Sequence, residues 1–145
     1  MAKGSFCVFA TSSAKNRPHA VGVSYAAVGL DVYLLVSEDS IKVRNVRENP
    51  SVAVCIPVRK YPFGPPMAVQ FQGEAQILRP DDPGVKDLIA AGRLRRITAL
   101  GALDHPGVCF LKITPRRRVS SYGLGISLIQ LVKDIGQGAR SVALS

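Results

Sequence analysis

Apolar residues along this chain come in short runs with strand-like spacing, and only one substantial stretch repeats them at helical intervals. Phe6 to Thr11 (FCVFAT) and His19 to Tyr25 are β-rich runs separated by the polar cluster Ser12 to Arg17. Asn16 and Arg17 suit a turn, and Pro18 keeps Arg17 out of the helical region. The two runs predict a hairpin. Gly22 lies inside the second strand, where a glycine weakens pairing. Either a flat ring lies close against the backbone there, or the strand bulges or bends. Ala26 to Leu30, with Gly29, turns the chain into a third run, Asp31 to Ser37.

Ser51 to Val58 (SVAVCIPV) is continuously apolar, which predicts a barrel stave buried on both faces. Arg59 to Pro66 (RKYPFGPP) is expected to be an exposed loop, because its prolines cannot donate to a ladder. Met67 to Leu78 alternates over Val69 to Phe71 until Gly73 interrupts, as in a long strand bent at a barrel corner. Val85, Leu88, Ile89, Leu94 and Ile97 recur at near-helical intervals, with Gly92 dividing the run. Val108 to Thr114 is a strand that Arg118 to Tyr122 extends beyond Pro115, and Ile126 to Ile135 suits an amphipathic helix. Strands outnumber helices, so the fold expected is mainly β, a barrel with appended helices. The 145 residues fit a single domain spanning 1–145, with no repeat and no dividing linker.

Charge adds one constraint. Lys and Arg number 19 against 10 Asp and Glu, a net charge of +9, which implies an anionic partner. The arginines are scattered, Trp is absent and no aromatic row is present, so a phosphorylated small molecule is favoured over nucleic acid. Cys7, Cys55 and Cys109 lie in apolar runs without metal-ligand spacing and read as small buried hydrophobes. His19 and His105 are too far apart to suggest zinc, so no metal site is expected. No apolar run reaches the roughly 18 residues that span a bilayer. The opening MAKGSFCVFAT reads as a first strand rather than a signal peptide, so a cytoplasmic protein is expected. No G-x-S-x-G, H-E-x-x-H or placed G-x-G-x-x-G occurs. Catalytic residues are therefore unassigned, and if the protein is an enzyme, a cofactor carries the reaction.

The stretch with most chemical content is Tyr33 to Pro50, YLLVSEDSIKVRNVRENP. A strand runs into Ser37, Glu38, Asp39 and Ser40, residues suited to a helix N-cap, and Pro50 ends the short helix that follows. Lys42, Arg44, Asn45 and Arg47 make this helix mostly solvent-facing. Free amides at its start, the helix dipole and Lys42 together suit a phosphate. A solvated basic connector is the competing reading.

The longer segment RPHAVGVSYAAVGLDVYLLVSEDSIKVRNVRENPSVAVCI resembles the split-barrel family of pyridoxamine 5'-phosphate oxidase-like flavoproteins. In that family a strand opened by Arg-Pro, a second strand, and a Ser-x-Lys-x-x-Asn helix ended by Asn-Pro follow in this order. The resemblance covers Phe6 to Tyr122 and is most specific over Ser40 to Pro50. It implies a split β-barrel of the FMN-binding type, a homodimer with cofactor at the subunit interface, and FMN or the deazaflavin coenzyme F-420 as cofactor. It also implies hydride transfer to or from a small-molecule substrate; the alternative is a non-catalytic protein that stores or senses flavin, deazaflavin or haem. Lys42 and Ser40 would contact the phosphate, Asn45 would orient the loop, and His19, Val21, Val23, Val36 and Ser37 would lie against ring and ribityl chain. Gln72 matches a position near the ring. Where the family has an arginine beside the phosphate this chain has Ser40, with Arg17 or Arg44 as substitutes. The chain lacks the C-terminal Arg-x-His-type substrate motif of pyridoxamine phosphate oxidase itself, having the run Arg116 to Arg118 instead.

Overall fold

A computed structural model describes residues 6–58, 67–122 and 139–143. One antiparallel sheet dominates it, made of β1 (Phe6–Ser12), β2 (Pro18–Ser24), β3 (Ala26–Val28), β4 (Asp31–Ser37), β5 (Ser51–Val58), β6 (Met67–Leu78), β7 (Val108–Tyr122) and β8 (Ala139–Ala143). Its order is β2-β1-β5-β6-β7-β4-β3, and β8 pairs with the far half of β7. The sheet curls until β2 comes back beside β4, although the two share no ladder. This is the split β-barrel. Alternate residues of the strands turn inward to form its core, among them Phe9, Leu34, Val54, Phe71, Leu111 and Ile113.

Among the described residues, three α-helices are added to the sheet. α1 (Ile41–Glu48) links β4 to β5 and packs on β1 and β6. α2 (Pro83–Ala90) and α3 (Arg95–Thr98) lie between β6 and β7. Asp82 caps α2 by accepting from Val85 N at 3.2 Å, and Pro83 occupies the first turn, where its missing N–H is no loss. Gly92, at φ +71°, separates α2 from α3 as the sequence suggests. These helices place Val85, Leu94 and Ile97 over Tyr33 and Phe110, which face away from the barrel core. None of the described helices is long and apolar enough to cross a membrane.

Burial on both faces therefore falls on β4 and the first half of β7, not on β5 as its apolar run suggests. The outward Ala53 and Cys55 of β5 are half-buried, because no helix among the described residues covers that side. Cys55 thus departs from the expectation for the three cysteines, whereas Cys7 and Cys109 are buried. Of the polar residues expected to make α1 mostly solvent-facing, Asn45 alone is buried, beside Val43 and Val46. The expected loop over Arg59 to Pro66 and helix over Ile126 to Ile135 lie outside the described residues.

Two glycines have identifiable reasons. A Cβ on Gly22 would lie 2.6 Å from the Phe6 ring, so a flat ring does cover this strand, and it belongs to the chain itself. A Cβ on Gly73 would meet the Thr114 carbonyl oxygen at 2.8 Å, so only glycine lets β6 and β7 approach so closely. Next to that contact the ladder breaks register. Gly73 faces Pro115 while Phe71 faces Val119, so Arg116, Arg117 and Arg118 stand opposite Gln72 alone. β7 accordingly runs on through Pro115 as one bulged strand.

Candidate functional site

The start of α1 leaves backbone amides open beside a lysine. β4 ends at Ser37, and Ser40 is the N-cap, with Val43 N and Arg44 N both bonded to its carbonyl at 3.1 Å. The amides of Ile41 and Lys42 find no acceptor among the described residues. Lys42 is half-buried beside them and forms no ion pair among the described residues. The Ser40 hydroxyl is already committed, donating to Ser37 O at 2.7 Å, and makes no side-chain cap. It can turn to a phosphate only by releasing that carbonyl. Charge from this corner also reaches the adjacent strand: burial raises the Cys109 thiol pKa and Glu38 raises it further, while Arg47 and Lys42 oppose them.

Asn45 faces inward from the same helix, and its Nδ2 donates to Thr11 Oγ1 at 2.9 Å. Both groups are buried, so this bond fixes α1 against β1. Thr11 pairs with His19 across the β1–β2 ladder, so His19 shares a face with the Asn45 contact. His19, Val21 and Val23 are the half-buried, inward positions of β2. Val23 packs on the barrel core that includes Val36. His19 Nδ1 is buried and has no hydrogen-bond partner among the described residues.

The structure thus gathers Ser37, Ser40 and Lys42 at the mouth of α1, and His19, Val21 and Val23 along β2. Val36 is a core residue whose side chain points away from the exposed Ser37. Asn45 is held by Thr11, a residue outside the motif. Arg17 is exposed in the β1–β2 turn and Arg44 on the outer side of α1. Gln72 stands apart from all of these. It projects from the outer face of β6 into a cavity of about 1010 Å³ that also receives Arg116, Arg117 and Arg118. The sequence shows that run of arginines but carries no sign of the bulge that collects them.

A family model for pyridoxamine 5'-phosphate oxidase matches residues 2–119. The chain belongs to this family. No curated protein matches it. Among solved structures, the family fold is shared with the haem storage protein HutZ of Vibrio cholerae, at 17% identity and TM-score 0.69, over 79% of this chain and 84% of that one. A haem-binding protein of Mycobacterium smegmatis matches at 21% identity and TM-score 0.74, over 97% of this chain; the chain spans 53% of that protein. A pyridoxamine 5'-phosphate oxidase-related, FMN-binding protein of Nostoc punctiforme matches at 16% identity and TM-score 0.60, over 97% and 87% of the two chains. The open amides of α1, Lys42 and the orphaned imidazole nitrogen are groups that a phosphorylated ring cofactor would satisfy, so the residues present fit a flavin.

Proposed function

We propose that this protein is an FMN-dependent oxidoreductase acting on a small molecule. The observation carrying this reading is the pair of open amides at the start of α1 beside the half-buried Lys42. Bound flavin supplies the chemistry, accepting and donating a hydride. Lys42 and the amides of Ile41 and Lys42 hold the phosphate, using the helix dipole and one full charge. Asn45, anchored on Thr11, keeps that helix start aligned with β2. Val21 and Val23 present an apolar edge to the ring system, and His19 Nδ1 takes a polar atom of the ring or ribityl chain.

The protein works as a homodimer within this reading. Support comes from Phe6 of β1, a large apolar side chain left 51% exposed among the described residues. The deazaflavin coenzyme remains the alternative cofactor, and the high positive charge favours its anionic tail. Arg44 and Arg47, exposed on α1, would suit that tail together with Arg59 and Lys60, which lie outside the described residues. The second functional reading, a binder without turnover, is favoured by the haem-protein neighbours and by His19 Nδ1, which has no partner among the described residues.

The absorption spectrum of the purified protein, followed by FMN titration, decides among these. A flavin spectrum with turnover on an added electron donor supports the enzyme. A Soret band or tight flavin binding without turnover supports the binder.

A further inference from the structure

The arginine bulge lies outside the residues proposed above to hold the flavin phosphate. In a regular strand the middle residue of a run of three points to the opposite face from its neighbours. Here the register shift, with Arg117 at φ +20°, leaves Arg116, Arg117 and Arg118 all exposed and all lining one cavity. A single carboxylate, Glu74, stands among them, and it binds Arg116 Nη2 at 3.1 Å. Arg117 and Arg118 have no ion-pair partner among the described residues. Guanidinium groups match carboxylate and phosphate oxygens two at a time, so two of them at a cavity rim form an oxyanion fork.

The rest of the lining defines the body of the ligand. Ala10 pairs with Ala53 and Ala53 with Gln72, so one cross-strand row leads from the bulge over small apolar side chains. Gln72 and Ser120 add neutral hydrogen-bonding groups at its arginine end. The cavity of about 1010 Å³ is at the upper end of the size usual for small-molecule sites.

We propose that this cavity is the substrate pocket, taking a small molecule that carries a carboxylate or phosphate on a flat apolar body, with Arg117 and Arg118 fixing the oxyanion. Its role as a substrate pocket rests on the flavoenzyme reading above; the binding does not.

The test is an amide chemical-shift titration of the full chain, with and without FMN, using phenyl phosphate and benzoate as probes and benzyl alcohol as the neutral comparator. Both anions should shift Gln72, Arg117, Arg118 and Ser120, and the tighter one identifies the oxyanion. Arg118→Gln and Arg117→Asn, the latter suited to a positive φ, should each weaken anion binding about tenfold. Glu74→Gln should tighten it, a change opposite in sign to any loss from misfolding. Shifts elsewhere or none, equal binding of benzyl alcohol, or unaltered affinity in both arginine variants would overturn the proposal. If phenyl phosphate binds here but FMN binds nowhere, the flavoenzyme reading falls and the anion site stands. If FMN binds and the probes do not, the reverse holds.

Discussion

Lys42→Ala separates a phosphate site from a solvated basic helix. Lys42 has no ion pair among the described residues, so its removal should leave unfolding stability within about 0.5 kcal/mol of wild type. For a phosphate at the start of α1, the loss is one charge-assisted hydrogen bond at a half-buried position. That is worth about 1–3 kcal/mol, or roughly 5- to 150-fold in FMN affinity. The open amides of Ile41 and Lys42 survive the substitution, so binding should weaken rather than vanish. Ser40→Ala should do less, because the hydroxyl already donates to Ser37 O. Titrations of both proteins with FMN and with riboflavin, followed by flavin fluorescence, isolate the phosphate: the Lys42→Ala effect should appear with FMN and be absent with riboflavin. The FMN effect should also shrink as salt rises past ~0.1 M. Equal losses for the two ligands, or none for either, would refute the assignment.

Further outcomes concern the fold, the assembly and the buried thiol. Gly73→Ala should destabilise the fold by about 1–3 kcal/mol in urea denaturation, because the new methyl meets the Thr114 backbone. Gly22→Ala should change it by less than about 1 kcal/mol, since the obstructing Phe6 ring is half-exposed and can swing away; the opposite ranking would contradict the packing described. Light scattering should give twice the 15.5 kDa chain mass, and a monomer that still binds FMN tightly would remove the dimer from the proposal. Burial, with a smaller contribution from Cys55, pushes the Cys7 thiol up from 9.0 to about 11. Between these values the unfolded chain has lost its thiol proton and the folded one retains it, so stability should fall as pH rises from 9 to 11, by on the order of 2 kcal/mol. Cys7→Ala should flatten that part of the stability profile, and an unchanged slope would reject the cause.

Much of the barrel was legible because strand periodicity and turn chemistry are local. The β1–β2 hairpin, the Gly73 corner and the break at Gly92 all followed from nearest neighbours. Burial of β5 was misread because an apolar run says that something covers a strand, not what. Here α2 and α3 cover β4 and β7, and among the described residues no helix covers the outer face of β5. At the site, Ser40 and Lys42 were readable from their place at a helix start. The burial of Asn45 was not, since its partner Thr11 lies 34 residues away. The arginine cluster was hidden for the same reason: its geometry comes from a register shift between two strands, which neither strand encodes alone.

The Thr11–Asn45 bond constrains how this sequence can drift. Either partner replaced alone by an apolar residue would leave a buried polar atom unmatched, a loss of about 1–3 kcal/mol, whereas replacing both by residues of similar shape could be nearly neutral. The single steps are thus selected against and the double step is tolerated. The two positions should be inherited as one character, and a lineage that loses Thr11 should be found to have lost Asn45 as well.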